Sequence, residues 1–64
     1  MNKTTIVELA PNKKIELKTN YPVDMVDVLE YFSYIVDEDG DVYTSTFNFL
    51  VGNLRDFKIT VSDN

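Results

Sequence analysis

Nothing covalent or metallic of the usual kind can staple this chain, because its 64 residues include neither a cysteine nor a histidine. Its fold must therefore rest on packing. A chain of this length buries only about 60% of the surface it exposes when unfolded, so its stability margin is thin. Association, with a second copy or with a partner, is the support left open. The 44% apolar content is that of a globular domain rather than of a disordered chain. With no linker, repeat or low-complexity segment, residues 1–64 read as a single domain.

The apolar pattern predicts the elements. Thr5-Ile6-Val7-Glu8-Leu9 and Lys14-Ile15-Glu16-Leu17-Lys18 alternate as half-buried strands do. Ala10-Pro11-Asn12-Lys13 turns between them, with Ile15 and Leu17 facing the core. Asn20-Tyr21-Pro22 breaks the strand and opens a helix over about 22–32, whose apolar face is Met25, Val28 or Leu29, and Phe32. Asp39-Gly40 signals a tight hairpin with arms Tyr34-Ile35-Val36 and Val42-Tyr43-Thr44. Phe47, Leu50, Val51 and Leu54 recur at i, i+3, i+4 and i+7 behind Ser45 and Thr46, which suggests a second short helix weakened by Gly52. An extension of the hairpin strand over 44–50 is the other reading. Phe57-Lys58-Ile59-Thr60-Val61 alternates as a closing strand, and Phe32, Phe47, Phe49 and Phe57 are expected in the core. The expected fold is α+β, one small antiparallel sheet of four to five strands with one or two short helices, in the order β-β-α-β-β-(α)-β.

The net charge is −5 and the charge is segregated. Residues 19–54 hold Asp24, Asp27, Glu30, Asp37, Glu38, Asp39 and Asp41 and no basic residue; four lysines precede them, and Arg55 and Lys58 follow. An acidic surface disfavours direct binding to nucleic acid or to an anionic membrane. No apolar run approaches the length needed to span a bilayer, and the opening residues lack the apolar core of a signal peptide. A cytoplasmic location is expected.

Catalysis fails on inventory. Serine and threonine hydroxyls are weak nucleophiles without an activating base, and a carboxylate pair needs a desolvated pocket to raise one pKa. The expectation is a non-enzyme without cofactor or metal. Asp37-Glu38-Asp39-Gly40-Asp41 superficially resembles a calcium loop, but the loop counted from Asp37 has Val42 where glycine belongs and Asn48 where glutamate belongs. A hairpin turn explains those residues better, and weak divalent binding by four clustered acids is a third-ranked reading.

Two readings of the acids stay open. They form a solvated face that keeps a small domain soluble, or they form an ordered array. Asp37, Asp39 and Asp41 on an extended strand would recur about every 6.6 Å, and Asp24, Asp27 and Glu30 would climb a helix in steps of about 4.5 Å. Tyr31, Tyr34 and Tyr43 are interleaved with them and suit interface anchors, although tyrosines at a core edge are the commoner case. A compact domain of this length spans about 28 Å. Duplex DNA of that length carries roughly 16 phosphate charges, or about 8 per strand. Seven carboxylates approach the single-strand value, and a two-fold dimer with both acidic faces outward approaches the duplex value. A homodimer is expected.

A short, cysteine-free acidic domain with these carboxylates and interleaved tyrosines resembles the DNA-mimic inhibitors that phages use during host takeover. The resemblance covers charge and residue type over residues 24–41 and contains no alignable motif. It implies a protein of the host cytoplasm that inhibits a basic DNA-binding protein by imitating the phosphate backbone. The target class is a nucleoid protein, nuclease, repair enzyme or transcription factor. Asp24, Asp27, Glu30, Asp37, Glu38, Asp39 and Asp41 would supply charge, with Tyr31, Tyr34 and Tyr43 as anchors. The alternative is a small interaction or assembly module that pairs through a sheet edge or an apolar face, its acids serving only solubility.

Overall fold

The structure, a computed structural model, describes residues 2–63. It is α+β, with two three-stranded antiparallel sheets instead of the single sheet expected. Strands β1 (Lys3–Ala10) and β2 (Lys13–Thr19) form the N-terminal hairpin, and helix α1 (Met25–Tyr31) follows. Strands β3 (Tyr34–Val36), β4 (Asp41–Thr44) and β5 (Leu50–Asn53) form the second sheet. A 3₁₀ turn, Leu54–Asp56, then leads into β6 (Lys58–Asp63), which returns to the first sheet in the order β2-β1-β6. The sheet divides because the closing strand pairs with β1 along its whole length, from Lys3 opposite Asp63 to Glu8 opposite Lys58. That leaves β3, β4 and β5 to pair among themselves.

Local chemistry explains the boundaries. Pro11 fixes a negative φ, which denies the first hairpin a primed turn. The pairing absorbs the mismatch as a register shift between Glu8 and Ala10. Helix α1 begins three residues later than expected because Asp24 caps it. The Asp24 carboxylate accepts the Asp27 backbone N–H at 2.9 Å, and the Asp27 carboxylate accepts the Asp24 N–H at 3.2 Å. This reciprocal box satisfies two otherwise orphaned donors. The helix ends where Ser33 takes a left-handed φ of 66°, a position more often given to glycine.

The Asp39-Gly40 hairpin forms with the expected arms, and Gly40 has φ 85°. A second helix does not form. Residues 45–47 turn, Asn48 adopts φ 54°, and β5 pairs with β4 instead. Thr44 closes that loop: its N–H donates to Phe49 O, and its carbonyl accepts the Asn48 N–H.

The core is small. Val7, Leu9, Val28, Leu29, Val42 and Phe57 are buried, and Ile15, Leu17, Val23, Met25, Tyr34, Val36, Val51 and Leu54 pack around them. Of the four phenylalanines expected there, only Phe57 is buried; Phe32, Phe47 and Phe49 are exposed. Hydrophobicity alone does not bury a side chain held in a turn at the end of a sheet. Phe57 owes its place to Gly52, where a β-carbon would lie 2.9 Å from the ring. Among the described residues no helix is long and apolar enough to cross a membrane.

The cap makes a prediction. Asp24→Ala lowers stability by about 1 kcal/mol, while Asp24→Ser, which keeps an acceptor, recovers most of it; urea unfolding midpoints measure both.

Candidate functional site

The acidic hairpin is a hydrogen-bonded turn rather than an extended ladder. Asp37 Oδ1 accepts the backbone N–H of Asp39 at 3.0 Å and of Asp41 at 2.9 Å. The Gly40 N–H donates to Asp37 O, and the Asp37 N–H donates to Asp41 O. Buried Asn53 braces the turn from β5, its amide donating to Asp39 O at 3.2 Å and to Asp41 Oδ1 at 2.9 Å. Asp37, Asp39 and Asp41 therefore curl round a tight turn and do not repeat at strand spacing. Glu38 and Asp39 are the exposed acids of the group.

Tyr43, half-buried on β4, faces this cluster. Partial desolvation and the carboxylates of Asp37, Asp41 and Asp39 oppose formation of its phenolate, so its pKa lies above the ordinary tyrosine value.

The helical group is separate. Asp24 and Asp27 spend their carboxylates on the capping box, and Glu30 and Tyr31 are exposed. Tyr34, at the start of β3, is half-buried against the core and is better described as a core-edge residue. In the chain, β3 stands between the helical acids and the hairpin acids, a separation of about 10 Å along the strand. The ten proposed site residues thus fall into a hairpin group, a helical group and Tyr34. No ion pair involves any of the seven acids among the described residues; the pairs found, Lys3–Asp63 and Glu8–Lys14, lie in the first sheet. Nor do three carboxylates come together as a metal-holding group among the described residues.

A different surface went unforeseen. Phe47 and Phe49 stack with ring centroids 5.6 Å apart, and they are 71% and 64% exposed. Leu50 beside them is equally open. Tyr31 and Phe32 form a second exposed pair, edge to face at 5.3 Å. The Ser45 N–H donates to Ser33 O, which ties the α1–β3 junction to the β4–β5 turn and brings both pairs to one end of the second sheet. Ser33 and Asn48, the two non-glycine residues with positive φ among those described, adjoin these pairs. The left-handed region costs serine roughly 1–2 kcal/mol and asparagine little, and such strain gathers at binding sites. The readable signal was Asn48 between two phenylalanines, a turn residue inside an apolar run.

A shallow depression of about 450 Å³ lies between β2 and α1, lined by Leu17, Lys18, Thr19, Tyr21 and Tyr31. Among the described residues no carboxylate lines it.

The raised Tyr43 pKa fixes a pH dependence. The folded state holds this proton more tightly than the unfolded chain, so the associated stability is fully present below pH about 10 and is lost as pH rises further. Urea midpoints above and below that pH should show an alkaline loss that is smaller in Tyr43→Phe. No protein-family model, no curated protein and no solved structure matches the chain.

Proposed function

We propose that the chain is a non-catalytic protein-binding module whose contact surface is the aromatic end of the second sheet. The carrying observation is the exposed Phe47–Phe49 stack with Leu50 in the β4–β5 connection. A small domain short of core does not leave Phe47, Phe49 and Leu50 in water in one connection without cost: burying each is worth about 1.5–3 kcal/mol. Their backbone turns are held by hydrogen bonds, so they meet a partner preorganised. Aromatic anchors of this kind dominate interface energetics.

A second reading, the phosphate-like decoy for a basic DNA-binding protein, is favoured by one observation: the acids of residues 19–54 have no ion-pair partner among the described residues. The hairpin geometry sharpens how to test it. Asp37 and Asp41 hold the turn, so reversing them would confuse charge with folding. Glu38 and Asp39 project into solvent and carry the clean test.

Affinity capture from a bacterial lysate with wild type and two variants separates the readings. On the first, Phe47→Ser with Phe49→Ser weakens the captured complex by on the order of thirty-fold, about 2 kcal/mol, and raised salt leaves it intact. On the second, Glu38→Lys with Asp39→Lys abolishes capture, and salt or competing DNA releases the partner. Capture that ignores Phe47 and Phe49 contradicts the proposed contact surface.

A further inference from the structure

Two three-stranded sheets present four edges, and an open edge invites pairing with another chain unless something blunts it. Three are blunted. Strand β2 carries Lys13, Lys14, Glu16 and Lys18, and self-pairing about Glu16 would set Lys14 against the second copy's Lys18. Strand β3 is only three residues long. Strand β5 is four residues long and is interrupted by a register shift against β4. The fourth edge, β6, has none of these devices. It is six residues long, keeps unbroken register with β1, and is uncharged from Ile59 to Ser62.

The face of β6 is unfinished as well. Ile59 stands opposite Val7 and Val61 opposite Thr5, so both project from the same side of the sheet as the buried core. They are nevertheless 42% and 51% exposed, and α1 packs mainly against β3, β1 and β2 rather than over β6.

We infer that β6 is a homodimer edge, pairing antiparallel with β6 of a second copy about a two-fold axis at Thr60 to make one six-stranded sheet. The sequence of the strand selects this occupant. With Thr60 opposite Thr60, Ile59 of each copy meets Val61 of the other on the core side. Lys58 at one end and Asp63 at the other give the strand opposite formal charges at its two ends. An antiparallel pair sets the positive end of each beside the negative end of the other, and a parallel pair sets like beside like. The inference does not rest on the aromatic surface, which lies in the other sheet.

Sedimentation velocity from micromolar to millimolar concentration, together with single-cysteine crosslinking, tests it. The chain has no native cysteine, so each introduced thiol reports alone. Directly opposed residues have β-carbons about 4.5–5.5 Å apart, close enough that Thr60→Cys oxidises readily to a covalent dimer. Glu16→Cys, on the β2 edge, does not. Thr60→Lys, at an exposed position off the core face, weakens the dimer at least about tenfold while circular dichroism stays native. If Thr60→Lys misfolds, the crosslinking alone decides. A wild type that stays monomeric to millimolar concentration overturns the inference; so does preferential crosslinking through Glu16→Cys, or a folded Thr60→Lys that dimerises as before.

Discussion

The ring of Phe57 packs against Gly52, where a β-carbon would lie 2.9 Å from it, and that contact brings β5 into the core shared by the two sheets. Gly52 is the last but one residue of β5, and Phe57 is the residue that hands the chain to β6. The ring sits where the chain leaves the second sheet, and among the described residues it closes a core of six buried apolar side chains drawn from β1, α1, β4 and the β6 entry. In a chain with no disulfide, so few buried side chains must hold both sheets and the helix in register. Losing the ring removes an anchor for both sheets at once, and adding a methyl group at residue 52 displaces it.

The acids look different once their hydrogen bonds are known. Asp24 and Asp27 close a helix cap, Asp37 folds a turn over its own carboxylate, and Asp41 is held by Asn53. Three of the seven carboxylates therefore hold backbone N–H groups and a fourth holds the Asn53 side chain, while Glu30, Glu38 and Asp39 are left with no such duty. Acidic segregation is in part a by-product of capping, since aspartate is a favoured side chain at helix starts and tight turns. The free surface that stands out is apolar: the aromatic end of the second sheet and the uncovered side of β6.

Much of the fold was legible in the sequence, for identifiable reasons. Proline and asparagine at the first turn, Asp39-Gly40 at the second, and the Val28–Leu29 face of α1 each use a local signal that tertiary packing leaves alone. Residues 44–54 were not legible. Phe47, Leu50, Val51 and Leu54 keep helical spacing, but pairing with β4 and the left-handed turn at Asn48 outweigh that pattern. The site was half legible. The hairpin acids and Tyr43 do come together, whereas carboxylate spacing could not reveal which oxygens the backbone already occupies. The exposed phenylalanines were missed because an apolar residue was equated with a buried one.

The Phe57 ring against Gly52 ties β5 into the core that the two sheets and α1 share. A double-mutant cycle on Gly52→Ala and Phe57→Leu, read from urea unfolding, tests it most directly. A smaller side chain at residue 57 makes room for the added methyl group, so the double variant should be less destabilised than the sum of the singles, by about 0.5–3 kcal/mol. Additivity within about 0.5 kcal/mol would mean that the two residues do not share a contact and that Phe57 does not hold β5 to the core.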